Sequence, residues 1–240
     1  MDRSKRRVLL KISGEALAGS NSFGIVSEVL SRIAHSIKLL TEQQIQIGLV
    51  IGGGNLFRGQ VLRDSGMDAV VADQIGMLAT MMNGLAMRDA LEASGLSVCL
   101  FSSIAVPSVL ELYQQRKAVN ALEQGKVVVF VGGTGNPFFT TDTAACLRAI
   151  EMQADLIIKA TKVDGIYSAD PRKNPLAVRY DHLTYDQVIQ NNLGVMDLTA
   201  ICLVKDHHIP LRITDIMQPD ALLRAVQGLA GTLVSNHQES

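Results

Sequence analysis

Short apolar segments rich in β-forming residues alternate with segments of helical periodicity along most of the chain. The apolar segments are RVLLKI at 7–12, IQIGLVI at 45–51, SVCLF at 97–101, KVVVFV at 126–131 and ADLIIKA at 154–160. Between the first two, residues 25–40 place apolar side chains on one helical stripe. This alternation predicts an α/β fold, a three-layer αβα sandwich with a mainly parallel central sheet. Ligands of such sheets bind at the carboxyl ends of the strands.

The pattern changes after Lys162. Residues 163–175 are rich in Asp, Pro and Gly, which predicts a hairpin or a long loop. Helices are predicted at about 184–192 and 197–207, and two late strands follow. We therefore expect a single domain over residues 1–240, with a soft lobe boundary near residue 160.

Composition argues against several classes of partner. The 240 residues carry 22 Lys+Arg against 23 Asp+Glu and only 4% aromatic residues, so we expect neither nucleic acid nor a membrane as a partner. The most apolar helical stretch is interrupted by polar residues before it reaches the length of a membrane span. The three cysteines are widely spaced and form no CxxC pair, which disfavours disulfides and a zinc site. A cytoplasmic location is the expectation.

Small residues follow three of the apolar segments. Ser13-Gly14 follows the first, Gly52-Gly53-Gly54 the second and Gly132-Gly133-Thr134-Gly135 the fourth. Backbone N–H groups in such loops can converge on an anion. A single glycine loop can simply turn the chain, whereas three loops at strand ends favour a site for several phosphates.

The common phosphate-binding fingerprints do not match. Gly54 and Gly59 have the spacing of a P-loop, but Gln60 stands where the P-loop needs lysine. Asn136, Pro137 and Phe138 follow Gly133-Thr134-Gly135, so the last glycine of a dinucleotide-binding motif is missing. A phosphate site of another kind is predicted.

Positive side chains lie next to these loops. Lys11 and Lys159 each stand inside an apolar segment, and Arg58 follows the triple glycine. A buried lysine needs an anionic partner, and a phosphate is one candidate. The alternative is that each lysine packs its stem and extends its ammonium group into solvent.

Five segments together resemble bacterial uridylate (UMP) kinases, which belong to the amino-acid-kinase fold family. The segments are KISGEAL at 11–17, VIGGGNLFRG at 50–59, DQIGMLATMMNGLAMRDAL at 73–91, GGTGNPFFTTDTAACLRAIE at 132–151 and KATKVDGIYSADP at 159–171. The resemblance is collinear from about residue 7 to residue 234. It implies the carbamate-kinase-like fold and transfer of the γ-phosphoryl group of ATP to UMP, with Mg²⁺ as cofactor, in pyrimidine nucleotide synthesis.

The resemblance also implies roles for individual residues. Lys11, Arg58 and Asp142 match catalytic positions, and no residue is assigned as a metal ligand. The ATP-binding positions are Lys11, Ser13, Gly14, Gly54, Arg58, Lys159, Thr161, Tyr167 and Asp170. The UMP-binding positions are Gly53, Asp73, Thr134, Gly135, Asn136, Pro137, Phe138, Phe139, Thr140 and Thr141. Residues 1–160 would form the UMP lobe and residues 161–240 the ATP lobe.

Several of these positions have a purely structural alternative. Asp142 could be the N-cap of the helix that begins nearby. Phe138 and Phe139 could belong to the core, and Asp170-Pro171 could be only a turn. These alternatives remain open at the level of the sequence.

Members of the family are usually homohexamers that UTP inhibits and, in many cases, GTP activates. Val26 replaces an acidic residue that relatives often carry in that segment, and residues 97–126 diverge most. The resemblance therefore implies UTP inhibition more firmly than GTP activation.

Two other functions are open to this fold. A transferase acting on a carboxylate or carbamate would give no reason for the segment GTGNPFFTT. A non-catalytic nucleotide or oxyanion binder would not need Lys11, Arg58 and Asp142 together.

Overall fold

The computed structural model describes residues 5–169, 171, 173–174 and 176–236, so Asp170, an expected ATP-binding residue, lies outside the described part. The strands are β1 Arg7–Ile12, β2 Gln46–Ile51, β3 Val98–Ser102, β4 Glu111–Leu112, β5 Val127–Val131, β6 Leu156–Thr161, β7 Ile166–Tyr167, β8 Arg179–Tyr180, β9 His182–Thr184, β10 Leu211–Asp215 and β11 Thr232–Ser235. The helices are α1 Gly14–Leu17, α2 Ser27–Glu42, α3 Gly59–Asp64, α4 Ala69–Ala93, α5 Gln115–Glu123, α6 Thr141–Glu151, α7 Tyr185–Gln190, α8 Leu198–Asp206 and α9 Ala221–Val226.

The main sheet is built from nine of these strands in the order β4-β3-β5-β2-β1-β6-β10-β11-β9. Its neighbours pair in parallel except for β10 and β11, which are antiparallel. In β1, Leu10 lies opposite Leu49 of β2 on one side and Ile158 of β6 on the other. The predicted mainly parallel sheet is confirmed.

Helices cover both faces of the sheet because side chains alternate along each strand. Val8, Leu10 and Ile12 of β1 pack in one core with apolar residues of α2, α4 and α9. Leu9 faces the other core, which contains residues of α5, α6, α7 and α8. The two cores make this the predicted three-layer αβα sandwich. Among the described residues, no helix is long and apolar enough to cross a membrane.

The segment that follows β6 forms the predicted hairpin, in which β7 and β8 pair antiparallel. The two predicted helices after it are α7 and α8, and the late strands are β10 and β11. The main sheet runs through the soft boundary near residue 160, because β6 pairs with both β1 and β10.

The sheet order brings the small-residue loops together. β5, β2, β1 and β6 are consecutive neighbours and parallel, so their carboxyl ends lie along one edge. The loops that follow β1 and β2 touch: a Cβ atom on Gly14 would lie 2.4 Å from the carbonyl oxygen of Gly52. Only glycine allows this approach, which positions the two loops side by side.

Candidate active site

Three charged side chains meet at this edge of the sheet. Lys11 and Lys159 are directly opposite each other in the β1–β6 register. The Nζ atom of Lys11 lies 2.6 Å from Oδ1 of Asp142, and that of Lys159 lies 2.7 Å from Oδ2. All three side chains are largely buried, with exposed fractions of 8% for Lys11, 13% for Asp142 and 16% for Lys159. We call Lys11, Asp142 and Lys159 the charged cluster.

The charged cluster decides two of the open alternatives. The lysine ammonium groups end on a carboxylate, so the interpretation that they extend into solvent is wrong. The N-cap of α6 is Thr140, whose hydroxyl accepts hydrogen bonds from the N–H groups of Asp142 and Thr143. The N-cap interpretation of Asp142 is therefore also wrong. Asp142 lies in the first turn of α6 and is directed to the lysines.

In the charged cluster, burial and the neighbouring charges shift the pKa values in opposite directions. Burial alone would raise the pKa of Asp142, but Lys11 and Lys159 outweigh it and hold this pKa below its ordinary value. Burial lowers the pKa of Lys159, although Asp142 opposes the shift. Two lysines against one carboxylate leave the cluster with an excess of positive charge when all three are ionised. Such an arrangement can stabilise an additional anion placed beside it.

A pair of buried asparagines that the motifs did not identify supports the triple-glycine loop. The side-chain amides of Asn55 and Asn83 exchange two hydrogen bonds, of 3.0 and 2.7 Å. Asn83 also donates to the carbonyl oxygen of Gly52 at 2.7 Å, and Asn55 donates to that of Gly24 at 2.9 Å. The pair thereby fastens the loop to α4. Both residues occur inside the family segments, but their pairing depends on elements far apart in the chain.

A cavity of about 270 Å³ lies next to the charged cluster, since Thr141, the neighbour of Asp142, lines it, and we call it the smaller cavity. Its lining consists of glycines, hydroxyl side chains, charged side chains and a few apolar ones: Gly53, Gly54, Phe57, Arg58, Gly59, Arg63, Ala72, Asp73, Gly76, Met77, Thr80, Gly133, Asn136, Phe138, Phe139, Thr140 and Thr141. Most of the expected UMP-binding residues are therefore brought together. Thr134, Gly135 and Pro137 lie in the same loop but outside this lining.

Polar contacts tie the walls of the smaller cavity together. Asp73 accepts a hydrogen bond from Arg63 and another from the backbone N–H group of Phe138, each 2.8 Å long. Arg58 forms a half-exposed ion pair with Glu15 at 3.0 Å. Phe138 and Phe139 are 71% and 49% exposed, so the alternative that they belong to the core is wrong.

A second cavity, of about 550 Å³, reaches the charged cluster at Lys159, and we call it the larger cavity. Its lining comes mainly from the chain after β6: Lys159, Thr161, Val163, Gly165, Ile166, Tyr167, Ser168, Ala169, Pro171, Asn192, Leu193, Gly194, Val195 and Ile213. Thr161 and Tyr167 are expected ATP-binding residues. Residues 192–195 also line this cavity, although no sequence motif had indicated them.

Asp197 is a further residue that the motifs did not single out. Its carboxylate accepts hydrogen bonds from the hydroxyl groups of Thr140 at 2.5 Å and Thr143 at 3.0 Å. It also accepts from the N–H group of Ala200 at 3.0 Å and so caps α8. Asp197 therefore joins the start of α6, which carries Asp142, to the wall of the larger cavity.

Comparison with known proteins gives a consistent result. The family model described as "Amino acid kinase family" matches residues 6–215. Uridylate kinases of Marinobacter nauticus and Pseudomonas putida are each 58% identical to this chain, in alignments that cover 95% and 97% of this chain and 95% of each relative. The solved structure of UMP kinase from Bacillus anthracis superposes with a TM-score of 0.93 at 38% identity and covers 98% of this chain and 97% of its own. UMP kinase from Ureaplasma parvum gives 0.92 at 33% identity, covering 98% of this chain and 100% of its own.

Proposed function

Because the chain belongs to the uridylate kinases of the amino acid kinase family, we propose that it transfers the γ-phosphoryl group of ATP to UMP, forming ADP and UDP. The resemblance drawn from the sequence motifs and the amino-acid-kinase fold are both confirmed. The observation that carries the proposal is that two cavities with different linings border the charged cluster. Lys159 lines the larger cavity, and Thr141, next to Asp142, lines the smaller one.

The reaction needs alignment and charge neutralisation more than proton transfer. The second pKa of a phosphate monoester is about 6, so near neutral pH the attacking oxygen of UMP is already ionised. That oxygen forms a bond to the γ-phosphorus while the bond to the bridging oxygen of ADP breaks. Lys11 and Lys159 stabilise the charge on the transferring group, and Asp142 holds the two ammonium groups in place.

We assign UMP to the smaller cavity and ATP to the larger one. Support comes from the linings, since the smaller cavity is built from residues of the segment 53–141 and the larger one almost entirely from residues after 160. We therefore keep residues 1–160 as the proposed UMP lobe and residues 161–240 as the proposed ATP lobe, with Lys159 of the first lobe reaching the larger cavity. The backbone N–H groups near Ser13 and Gly14 would meet the phosphates of ATP. Gly54 and Arg58 line the smaller cavity, so they would meet phosphates in the zone that the two nucleotides share.

We assign the discrimination between uracil and cytosine to residues of the loop that follows β5. The two bases have the same shape and differ in the hydrogen-bonding groups of one edge, so only donors and acceptors can separate them. Within the lining, hydroxyl, amide and backbone groups of Asn136, Thr140 and Thr141 supply both kinds, and Thr134 and Gly135 lie in the same loop.

Phosphoryl transfer from ATP commonly uses a divalent cation, and Mg²⁺ is part of the proposal. The described residues contain no group of three or more His, Cys, Asp or Glu side chains able to hold a metal ion. Both oxygens of Asp142 already face lysines. The donor set thus fits a cation that arrives on the ATP phosphates and keeps several waters, rather than a protein-held ion. When bound, the ion would neutralise phosphate charge and align the phosphates.

Assembly, regulation and location extend the proposal. Val71, Leu78 and Met82 are 43%, 52% and 44% exposed and recur at helical spacing on α4, which supports self-association into the expected homohexamer. UTP inhibition and GTP activation both rest on the family resemblance alone. The three cysteines are free thiols, which supports a cytoplasmic location.

An assay of ADP release tests the proposed function. The protein is incubated with MgATP and, in separate reactions, with UMP, CMP, dCMP, aspartate or carbamate. We expect turnover with UMP and little with any other acceptor. Absence of turnover with UMP would overturn the proposal. Turnover with aspartate or carbamate would favour the carboxylate or carbamate transferase, and turnover with none, despite nucleotide binding, would favour the non-catalytic binder.

A further inference from the structure

One carboxylate joins three elements around the smaller cavity. Asp73, near the start of α4, accepts a hydrogen bond from Nη1 of Arg63 through Oδ1 at 2.8 Å. Its Oδ2 accepts from the backbone N–H group of Phe138, also at 2.8 Å. Arg63 belongs to α3, and Phe138 lies in the segment between β5 and α6. The carboxylate is therefore held at both oxygens.

Arg63 itself lines the smaller cavity, although no motif pointed to it. Its side chain is 35% exposed and that of Asp73 is 17% exposed. Solvent screens the partly exposed guanidinium of Arg63, so this ion pair should contribute only modestly to folding stability. Replacement of Arg63 should therefore leave the fold intact, and its effects should report on the cavity.

The geometry leaves the carboxylate of Asp73 able to accept further hydrogen bonds. An ionised carboxylate can accept about four hydrogen bonds, and the two contacts above use part of that capacity. The planar guanidinium of arginine restricts the orientation of the carboxylate that it contacts. A carboxylate with a fixed orientation and spare acceptor capacity suits a vicinal pair of hydroxyl groups.

We propose that Arg63 is a positioning residue for the acceptor nucleotide, acting through Asp73 on the ribose hydroxyls of UMP. This inference rests on the proposed function and on the assignment of UMP to the smaller cavity. Arg63 fixes the carboxylate of Asp73 against α3, while the N–H group of Phe138 fixes its second oxygen. The ribose hydroxyls then donate to an acceptor that is already oriented, so binding costs less ordering.

Calorimetric titration with two nucleotides tests the proposal. UMP carries both ribose hydroxyls, and 2′,3′-dideoxyuridine 5′-monophosphate carries neither. Arg63→Met should weaken UMP binding about 10-fold. The same variant should change binding of the dideoxy nucleotide by less than about twofold, because the nucleotide has no hydroxyl for Asp73 to accept. Arg63→Lys should recover part of the UMP affinity, and kcat at saturating UMP should stay near the wild-type value.

Two comparisons complete the design. Arg116→Met, at an exposed position of α5 outside both cavity linings, is the matched control and should bind both nucleotides normally. In Asp73→Asn the further change Arg63→Met should have little additional effect, since both act on one contact.

The outcomes separate the inference from the proposed function. If Arg63→Met weakens the binding of both nucleotides equally, or of neither, the role of Arg63 is overturned. In that case the proposed function still stands, provided that the wild-type protein binds UMP. If the wild-type protein bound no UMP, the proposed function would fail and this inference with it.

Discussion

The two cavities that border the charged cluster differ in size, in the part of the chain that forms them and in the chemistry of their walls. The smaller cavity, about 270 Å³, combines glycines, threonines and the charged side chains of Arg58, Arg63 and Asp73. The larger one, about 550 Å³, has a wall with apolar members such as Val163, Ile166 and Ile213. A polar wall can reject an acceptor that lacks the right hydrogen-bonding groups, whereas an apolar wall mainly favours burial of a flat ring. Selectivity should therefore be stricter in the smaller cavity.

Loss of Lys11 should have the largest effect on activity, because Lys11 is proposed to stabilise the charge on the phosphoryl group during its transfer. We expect Lys11→Ala to lower kcat by about 100-fold or more while the Kd for UMP changes by less than about threefold. Steady-state kinetics and calorimetry measure the two quantities. Lys38→Ala is the control. Lys38 donates a hydrogen bond to the carbonyl oxygen of Ser94, at the C-terminal end of α4. A large rise in the Kd for UMP with kcat unchanged would contradict the assigned role.

Asp142 links catalysis to stability. Its folded pKa lies below the ordinary carboxyl value. The stabilisation from its ionised form is thus present above the ordinary pKa, about 3.9, and is lost as the pH falls through the depressed folded value. Asp142→Asn should lower the free energy of unfolding by about 3 kcal/mol at pH 7, because two buried ammonium groups lose their partner.

The check on Asp142 is a set of thermal melts between pH 3 and pH 7, about the range in which a carboxyl group titrates. The difference in Tm between wild type and Asp142→Asn should shrink toward the acid end. Asp186→Asn removes an exposed ion pair with Lys205 and should change Tm little at any of these pH values. A pH-independent difference for Asp142→Asn would contradict the assignment.

Asp73→Asn should affect the smaller cavity alone. We expect the KM for UMP to rise about 10-fold, since the amide replaces one acceptor with a donor, while the KM for ATP stays within about twofold. Initial-rate kinetics with each substrate varied in turn measure the difference. Equal changes in both KM values would show that the two cavities are not independent.

Tyr167→Leu should have the smallest effect and should affect only the larger cavity. The substitution removes an aromatic ring from the lining and the hydrogen bond from its hydroxyl group to Asp164 at 2.7 Å. We expect the KM for ATP to rise about threefold, with selectivity for UMP over CMP unchanged. A loss of acceptor selectivity in this variant would break the distinction drawn between the cavities.

Much of the framework could be predicted from the sequence because it depends on local patterns. Apolar segments such as 7–12 and 126–131 indicated strands, and the glycines that follow them indicated loops at strand ends. Gly53 and Gly54, which directly follow β2, lie in the lining of the smaller cavity. Such features depend on residue type and spacing over a few residues, which a sequence displays directly.

The partners of the charged groups were decided only by the tertiary structure. Lys11, Asp142 and Lys159 are separated by long stretches of chain and meet because β1 and β6 are neighbours beneath α6. The same holds for Asn55 with Asn83 and for the segment 192–195 that completes the larger cavity. Arg63 and Asp73 are only ten residues apart, but they belong to different helices, α3 and α4, whose packing decides their contact. The sequence determined which residue types stand at the strand ends. The pairing of distant strands and the packing of helices on them determined which residues face each other, because those contacts depend on chain geometry that local propensity does not encode.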